Sequence, residues 1–406
     1  MLIPASLVPV VLAAALMNAA MVAASAVSTI LIADELTPGL AGLPNTAGVL
    51  GTAAGAVVVG RLSARLGRAQ ALRTGYCVAV AGGALTVLAA AGAPVVLLFI
   101  GMLLLGAGNA AALLSRYAAA EAVAPNRQAQ AMSTVVWAGT AGAAGGPFLL
   151  EPAEQLMVSV GLPPLTGPFL LAVAAAFGAL LAASRIAPTS QIPVDLESAD
   201  EVGESTASRS TTLVAAAVML VGQLVMVALM TSVPVHAHHH GQGLAALGAM
   251  LSVHTFGMFA LAPLTGWLID RFGPRPVMIG GLATLAVSAV AVAGPLGQAF
   301  IPALFLLGYG WNLCYLGGSA ALTRAGVGTA AARAKRESQV EAWVWGVSAV
   351  ATAASTLLFA EGGFRLLAII SVVLAVPLLV IVVRLPDVSR RTRSVKLECV
   401  GVAGEG

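Results

Sequence analysis

The sequence predicts an all-α membrane protein of twelve transmembrane helices, arranged as two pseudo-symmetric six-helix bundles. Three observations lead there. Of 406 residues, 59% are hydrophobic and 9% charged, whereas a soluble domain carries roughly 25% charged residues; mean hydropathy is +0.96. Apolar runs recur along nearly the whole chain, and a bilayer crossing needs only about 20 such residues. A short basic turn also appears twice, half a chain apart, at Gly60 and Gly266. The composition excludes intrinsic disorder. Cys77, Cys314 and Cys399 are too few and too far apart for a secreted disulfide scaffold.

The elements follow in order. The first apolar run, residues 7–33, is too long for a signal-peptide core and has no basic leader, so it reads as the first span. Runs at 44–60, 72–92, 94–117, 130–150 and 166–185 complete an N-terminal bundle, residues 1–185. Residues 186–211 change character. They are rich in Ser and Thr, carry Asp195, Glu197, Asp200, Glu201 and Glu204, and show no apolar period, as in a flexible cytoplasmic linker. Spans at 212–234, 243–268, 276–294, 298–323, 337–360 and 363–384 form a C-terminal bundle, residues 212–385, with a polar tail at 386–406.

The net charge of +3 reflects topology rather than an anionic partner. With both termini inside, the loop between spans 2 and 3 holds Arg61, Arg65, Arg68 and Arg73, and loop 4–5 holds Arg116 and Arg127. Arg185 and Arg209 lie in the central loop, Arg271 and Arg275 in loop 8–9, and Arg324, Arg333, Lys335 and Arg336 in loop 10–11. Arg384, Arg390, Arg391, Arg393 and Lys396 follow the last span. Of the 20 basic residues only Arg365 is then outside, the bias that cytoplasmic loops show. A multi-pass cell (inner) membrane protein with both termini cytoplasmic is expected, a monomer in the lipid bilayer with no nucleic-acid partner.

The repeated turn reads GRLSARLGRAQALRTG from Gly60 and GWLIDRFGPRPVMIGG from Gly266. Small residues let helix ends approach, and arginines hold the turn at the membrane surface. The second copy resembles the signature loop of the major facilitator superfamily, with Gly266, Asp270, Arg271, Gly273 and Arg275 in the expected places. The first has Gly60, Arg65, Gly67 and Arg68, but Ala64 replaces the acid, so no latch built on that acid is expected in that half. The resemblance implies a twelve-helix fold whose halves rock about a central cavity. The stretch from Gly142 to Pro147 is similar to a Gly-Pro motif found in antiporters of that superfamily; structurally, it reads as a kinked, closely packed helix.

Intramembrane polar groups are the candidates for function. Asp34, Glu35, Glu121, Glu337 and Glu341 all fall at span ends, which argues against a mid-membrane carboxylate as proton carrier. Sulfur and imidazole do fall at mid-span. Met17 and Met21 lie on span 1, Met226 and Met230 on span 7, and Met250, His254 and Met258 on span 8, each set at helical spacing. Such stripes are also ordinary core packing. His236, His238, His239 and His240 cluster in the outer loop between spans 7 and 8, which reads as a solvated loop or as an intake site. Thioethers with imidazole suit a soft ion such as Cu(I).

Met226 and Met230 followed by His254 and Met258 resemble the paired motifs of the CcoA-like branch, bacterial copper importers. The resemblance implies that these four residues bind copper during uptake; that branch also holds transporters of other small molecules, including a riboflavin carrier. The alternative is export of an organic compound, proton-coupled through His254, with Asn18, Asn109, Trp137, Tyr309, Trp311 and Asn312 shaping the cavity. No Walker-type loop, Cys-x-x-Cys pair or nucleophile–base signature is present. The chain therefore reads as a gradient-driven carrier of copper or a small molecule, without a cofactor and not an enzyme.

Overall fold

The computed structural model describes residues 4–35, 42–145, 149–186, 206–239, 244–294, 300–325 and 329–384. Within these residues every regular element is helical: α1 Val8–Glu35, α2 Leu43–Leu66, α3 Arg68–Ala90, α4 Val96–Glu121, α5 Gln128–Gly145, α6 Leu150–Ser159 and α7 Thr166–Ser184. The second half of the chain forms α8 Thr206–His239, α9 Leu244–Phe259, α10 Ala262–Phe272, α11 Pro274–Val292, α12 Phe300–Arg324 and α13 Ala330–Arg384. Ten stretches in the described residues are long and apolar enough to cross a membrane, so the protein is a multi-pass membrane protein. The two expected spans not among them are α5, diluted by Gln, Gly and Thr, and the first part of α13, which carries Arg333, Lys335, Arg336, Glu337 and Glu341.

Several boundaries differ from the sequence reading, each for a local reason. Span 8 is two helices. Pro263, with no amide hydrogen to give, sits in the first turn of α10, and α9 stops at Phe259. The spans expected at 337–360 and 363–384 form one helical run broken only at Gly363, whose φ of 58° and ψ of −158° suit glycine alone. A short helix, α6, lies in the connection between α5 and α7. The basic turns are far tighter than expected. Gly67 alone separates α2 from α3, and Gly273 alone separates α10 from α11, with φ of 84° and 90°. Arg61, Arg65, Arg68 and Arg73 are thus helical rather than loop residues, as is Arg116 within α4.

Two apolar cores organise the helices. One runs through α1 to α5 and α7, built on Met17, Leu72, Tyr76, Leu98, Leu105 and Phe169. The other joins α8, α9, α11, α12 and α13 around Met219, Leu229, Leu282, Leu304, Leu307 and Trp311. Between helices, alanine and glycine permit backbone-level approach, as membrane packing requires.

Candidate functional site

The basic turns form one end of a seam between the two halves of the chain. Gly60 on α2 faces Ser338 on α13, and Gly266 on α10 faces Ser133 on α5; a Cβ at either glycine would overlap the serine hydroxyl. Asp270 crosses the seam, accepting the amide hydrogens of Ala129 and Gln130 at 3.1 and 2.9 Å. Those amides belong to the first turn of α5, the positive end of its dipole. Arg324 pairs with Asp270 at 3.2 Å. Arg275 bonds the carbonyls of Val382 and Val383 at the end of α13, and Arg73 does the same for Ala183, Ser184 and Ile186 at the end of α7. Arg271 stacks over Trp267 and Phe272, while Arg65 is exposed.

Deeper in the seam lies a group of charges that the sequence reading missed. Arg116 and Glu341 pair at 2.6 Å with side chains 1% and 0% exposed. The guanidinium carbon lies 4.4 Å from the Tyr117 ring centroid and 4.3 Å from that of Tyr315. Arg116 also donates to Ser319 Oγ and to the Leu113 carbonyl. Tyr315 Oη and Trp345 Nε1 donate to the other carboxylate oxygen, Oε1, at 2.7 and 3.0 Å. A second bridge uses Arg68, bidentate to Glu121 on its own half and 2.8 Å from Glu337 across the seam. A signal was available in the sequence only for Arg116, which stands between Leu113, Leu114 and the run from Tyr117 to Ala120; Glu341 lies just past the polar stretch from Lys335 to Gln339.

His254 is buried, 3% exposed. Its Nδ1 lies 3.1 Å from the Leu304 carbonyl. A carbonyl only accepts, so Nδ1 carries the hydrogen and Nε2 keeps its lone pair. Nε2 is buried and has no hydrogen-bonding partner. This is the orientation found in metal-ligating histidines, whose other ring nitrogen donates to a backbone carbonyl or carboxylate.

The methionines divide. Met226 and Met250 are buried in the second core, and Met230 and Met258 pack on it. Met17 is buried in the first core, and Met21 packs on that core. α8 and α9 each pack on α12 far more than on each other. Gly222 meets Cys314 and Gln223 bonds Trp311 on one side of α12, while His254 meets Leu304 and the Met258 carbonyl accepts from Asn312 on the α9 side. The two stripes therefore flank α12 at matching depth. His236, His238 and His239 fall on the end of α8 with side chains outside the described residues, as are His240 and Pro147. Among the described residues no three His, Cys, Asp or Glu side chains converge as a metal site.

An aromatic and amide cluster adjoins the stripes. Trp311 stacks on Tyr315 at 4.7 Å, meets Phe259 edge-on at 6.0 Å and donates to Gln223 Oε1 at 2.7 Å; Gln223 in turn donates to Ser348. Asn312 is held by Thr265 and the Met258 carbonyl, and Tyr309 stacks on Phe305. The remaining cavity candidates scatter: Asn18 bonds the Gly139 carbonyl, Asn109 is half-buried and Trp137 is 45% exposed. At Gly142, α5 lies against the α1 backbone at Ala15 and Ala19, the close packing expected of that stretch.

Comparisons with known proteins agree with this architecture. The family model described as Major Facilitator Superfamily matches residues 10–241 and 213–398. The chain is 34% identical over 369 residues to the uncharacterized MFS-type transporter YdeG of Bacillus subtilis, covering 87% of this chain and 85% of that protein. It is 30% identical over 296 residues to the riboflavin transporter RfnT of Brucella anthropi, covering 70% and 72%. Among solved structures, the human organic anion transporter MFSD10 superimposes with a TM-score of 0.74 at 14% identity, covering 94% of this chain and 100% of that one. A bacterial homologue of the iron transporter ferroportin in its outward-facing state gives 0.69 at 16% identity, covering 93% and 98%.

Proposed function

The chain belongs to the Major Facilitator Superfamily, and from that premise we propose that it takes up copper as Cu(I) through the second half of the molecule. It is a secondary transporter and not an enzyme. His254 carries the copper reading: a neutral imidazole held by Leu304, with a buried and unpartnered lone pair on Nε2. Met250 and Met258 stand one turn to either side of it on α9, and Met226 and Met230 lie at the same depth across α12. Neutral thioether and imidazole donors suit Cu(I) and bring no net charge into a low-dielectric site. Met17 and Met21, in the other core, are assigned to packing, and the outer histidines His236 to His240 to capture.

The same proposal orients the protein. Twelve spans with both termini in the cytoplasm of a cell (inner) membrane place the sealed seam on the inner side, so the structure corresponds to an outward-facing state. Residues 1–185 and 212–385 are the rocking units of a monomer, with 186–211 as linker and 386–406 as tail. A second reading, transport of a small organic compound, is favoured by the Trp311, Tyr315 and Phe259 cluster and by the relative named as a riboflavin transporter.

One experiment separates the two. Radioactive copper and riboflavin uptake are measured in cells producing the wild type, His254→Ala, Met258→Ala or Trp311→Ala, with membrane protein quantified. The copper reading expects His254→Ala and Met258→Ala each to lower copper uptake by about 10-fold or more. Wild-type copper accumulation by His254→Ala defeats it. Riboflavin uptake that falls only with Trp311→Ala makes the organic reading the better one.

A further inference from the structure

We infer that Glu341 is a proton-coupling site: its Oε2 atom binds either the Arg116 guanidinium, which seals the seam, or a proton, which releases it. The inference rests on alternating access between the two halves and is independent of the substrate.

The two oxygens of Glu341 have different allegiances. Oε1 accepts from Tyr315 at 2.7 Å and from Trp345 at 3.0 Å, both on the same half of the chain. Those bonds travel with Glu341 when the halves part. Oε2 accepts only across the seam, from Arg116 at 2.6 Å. Arg116 likewise keeps Leu113 and Tyr117 on its own half, but neither of these is an anion. Parting the halves without a proton leaves two unmatched charges at the moment when the seam is still dry. Breaking a buried pair is strongly unfavourable for that reason. Arginine does not lose its proton in proteins, so neutralisation has to occur on Glu341.

The second bridge is built differently, and the contrast singles out Glu341. Arg68 holds a bidentate carboxylate, Glu121, on its own half. When Glu337 leaves, Arg68 remains paired. The charged and titratable groups around Glu341 are Arg116 and Tyr117 on α4, Tyr315 on α12, and Glu337 one turn earlier on α13. Arg68 of α3, with Glu121 at the end of α4, lies beyond Glu337. From α2, Arg61 and Arg65 are exposed and supply nothing to the pair.

The step is one proton transferred from water to Oε2 and one Arg116 hydrogen-bonded ion pair released, with no other bond made or broken. Once water fills the opened seam, Glu341 returns the proton to that side and Arg116 rebinds.

The test needs no substrate. Spin labels are placed at Asn126→Cys and Lys335→Cys, exposed positions on opposite halves at the basic end, with Cys77 and Cys399 replaced by serine, in lipid nanodiscs. Electron–electron distance measurements on otherwise wild-type protein should show a short distance at high pH and a growing long-distance population as pH falls. Glu341→Gln should give the long distance at every pH, with the pH response lost. Arg116→Gln should do the same and decides the matter if the first variant does not accumulate. Glu337→Gln should retain a pH response. A wild type without any response overturns the inference, as does either Gln variant at the pair that keeps the short distance and the wild-type response.

Discussion

Gly308→Ala tests the packing that holds His254. α9 and α12 meet backbone to backbone: a Cβ at Gly308 would lie 2.9 Å from the Met258 nitrogen and closer still to the His254 carbonyl, and one at Gly257 would meet Phe305 and Tyr309 in return. No flexible side chain is available to yield, so α9 must retreat by roughly 0.5–1 Å, and such overpacking costs about 1–3 kcal/mol. The bond from His254 Nδ1 to Leu304, 3.1 Å long, then stretches beyond hydrogen-bonding range, leaving a buried N–H unmatched at about 1–3 kcal/mol. Together about 2–6 kcal/mol is expected, a shift of roughly 30-fold or more in the folding equilibrium. Reversible denaturant unfolding in mixed micelles, followed by tryptophan fluorescence, measures it. Gly280→Ala is the control, because a Cβ there meets nothing within 4 Å and a helix-interior Gly→Ala change is stabilising by roughly 0.5–1 kcal/mol. Equal stability of the two variants refutes the reasoning.

Arg275→Ala removes both side-chain donors that Arg275 gives to the Val382 and Val383 carbonyls and should destabilise by about 1–3 kcal/mol; Arg73→Ala should cost a similar amount at α7, both read in the same unfolding assay. Asp270→Ala leaves the Ala129 and Gln130 amides without their seam acceptor, so the long-distance population of the spin-labelled pair should rise, and an unchanged distribution contradicts the latch. Ser159→Cys on α6 should react with an impermeant maleimide outside intact cells, whereas Asn126→Cys should not; the opposite pattern inverts the topology.

The helices were legible because the bilayer demands long apolar runs, and the tight basic turns because glycine and arginine recur at both. What escaped was tertiary. A charged residue near a span end reads as a loop residue, and Arg116 was placed there; only packing shows that α4 continues past it and that Glu341 arrives from the other half to neutralise it. The break in span 8 was visible in Pro263 but was masked by apolar residues on both sides. The Met stripes were legible as stripes, yet the sequence could not say that α12 stands between α8 and α9, or that Met17 and Met21 belong to a different core from Met226 and Met230.

The missing acid at Ala64 is where symmetry and chemistry separate. In the second half Asp270 reaches across to the amino end of α5, meeting a helix dipole with a carboxylate. Ala64, its counterpart in the repeat, has no group to offer the facing helix. The steric part of the contact survives in both copies, since Gly60 admits Ser338 as Gly266 admits Ser133. The electrostatic part does not vanish but changes sign and position: Arg68, just beyond the Gly67 turn, crosses to Glu337 on α13. One side of the seam is therefore latched by an acid on backbone amides and the other by a guanidinium on an acid. Each latch contains one carboxylate, Asp270 or Glu337, and they differ in what its loss leaves behind: Arg68 keeps Glu121 as a partner, whereas the Ala129 and Gln130 amides lose their side-chain acceptor. A repeat conserved in shape thus supports two unlike locks, and the loss of the signature acid in one copy leaves that side of the seam closed by other means.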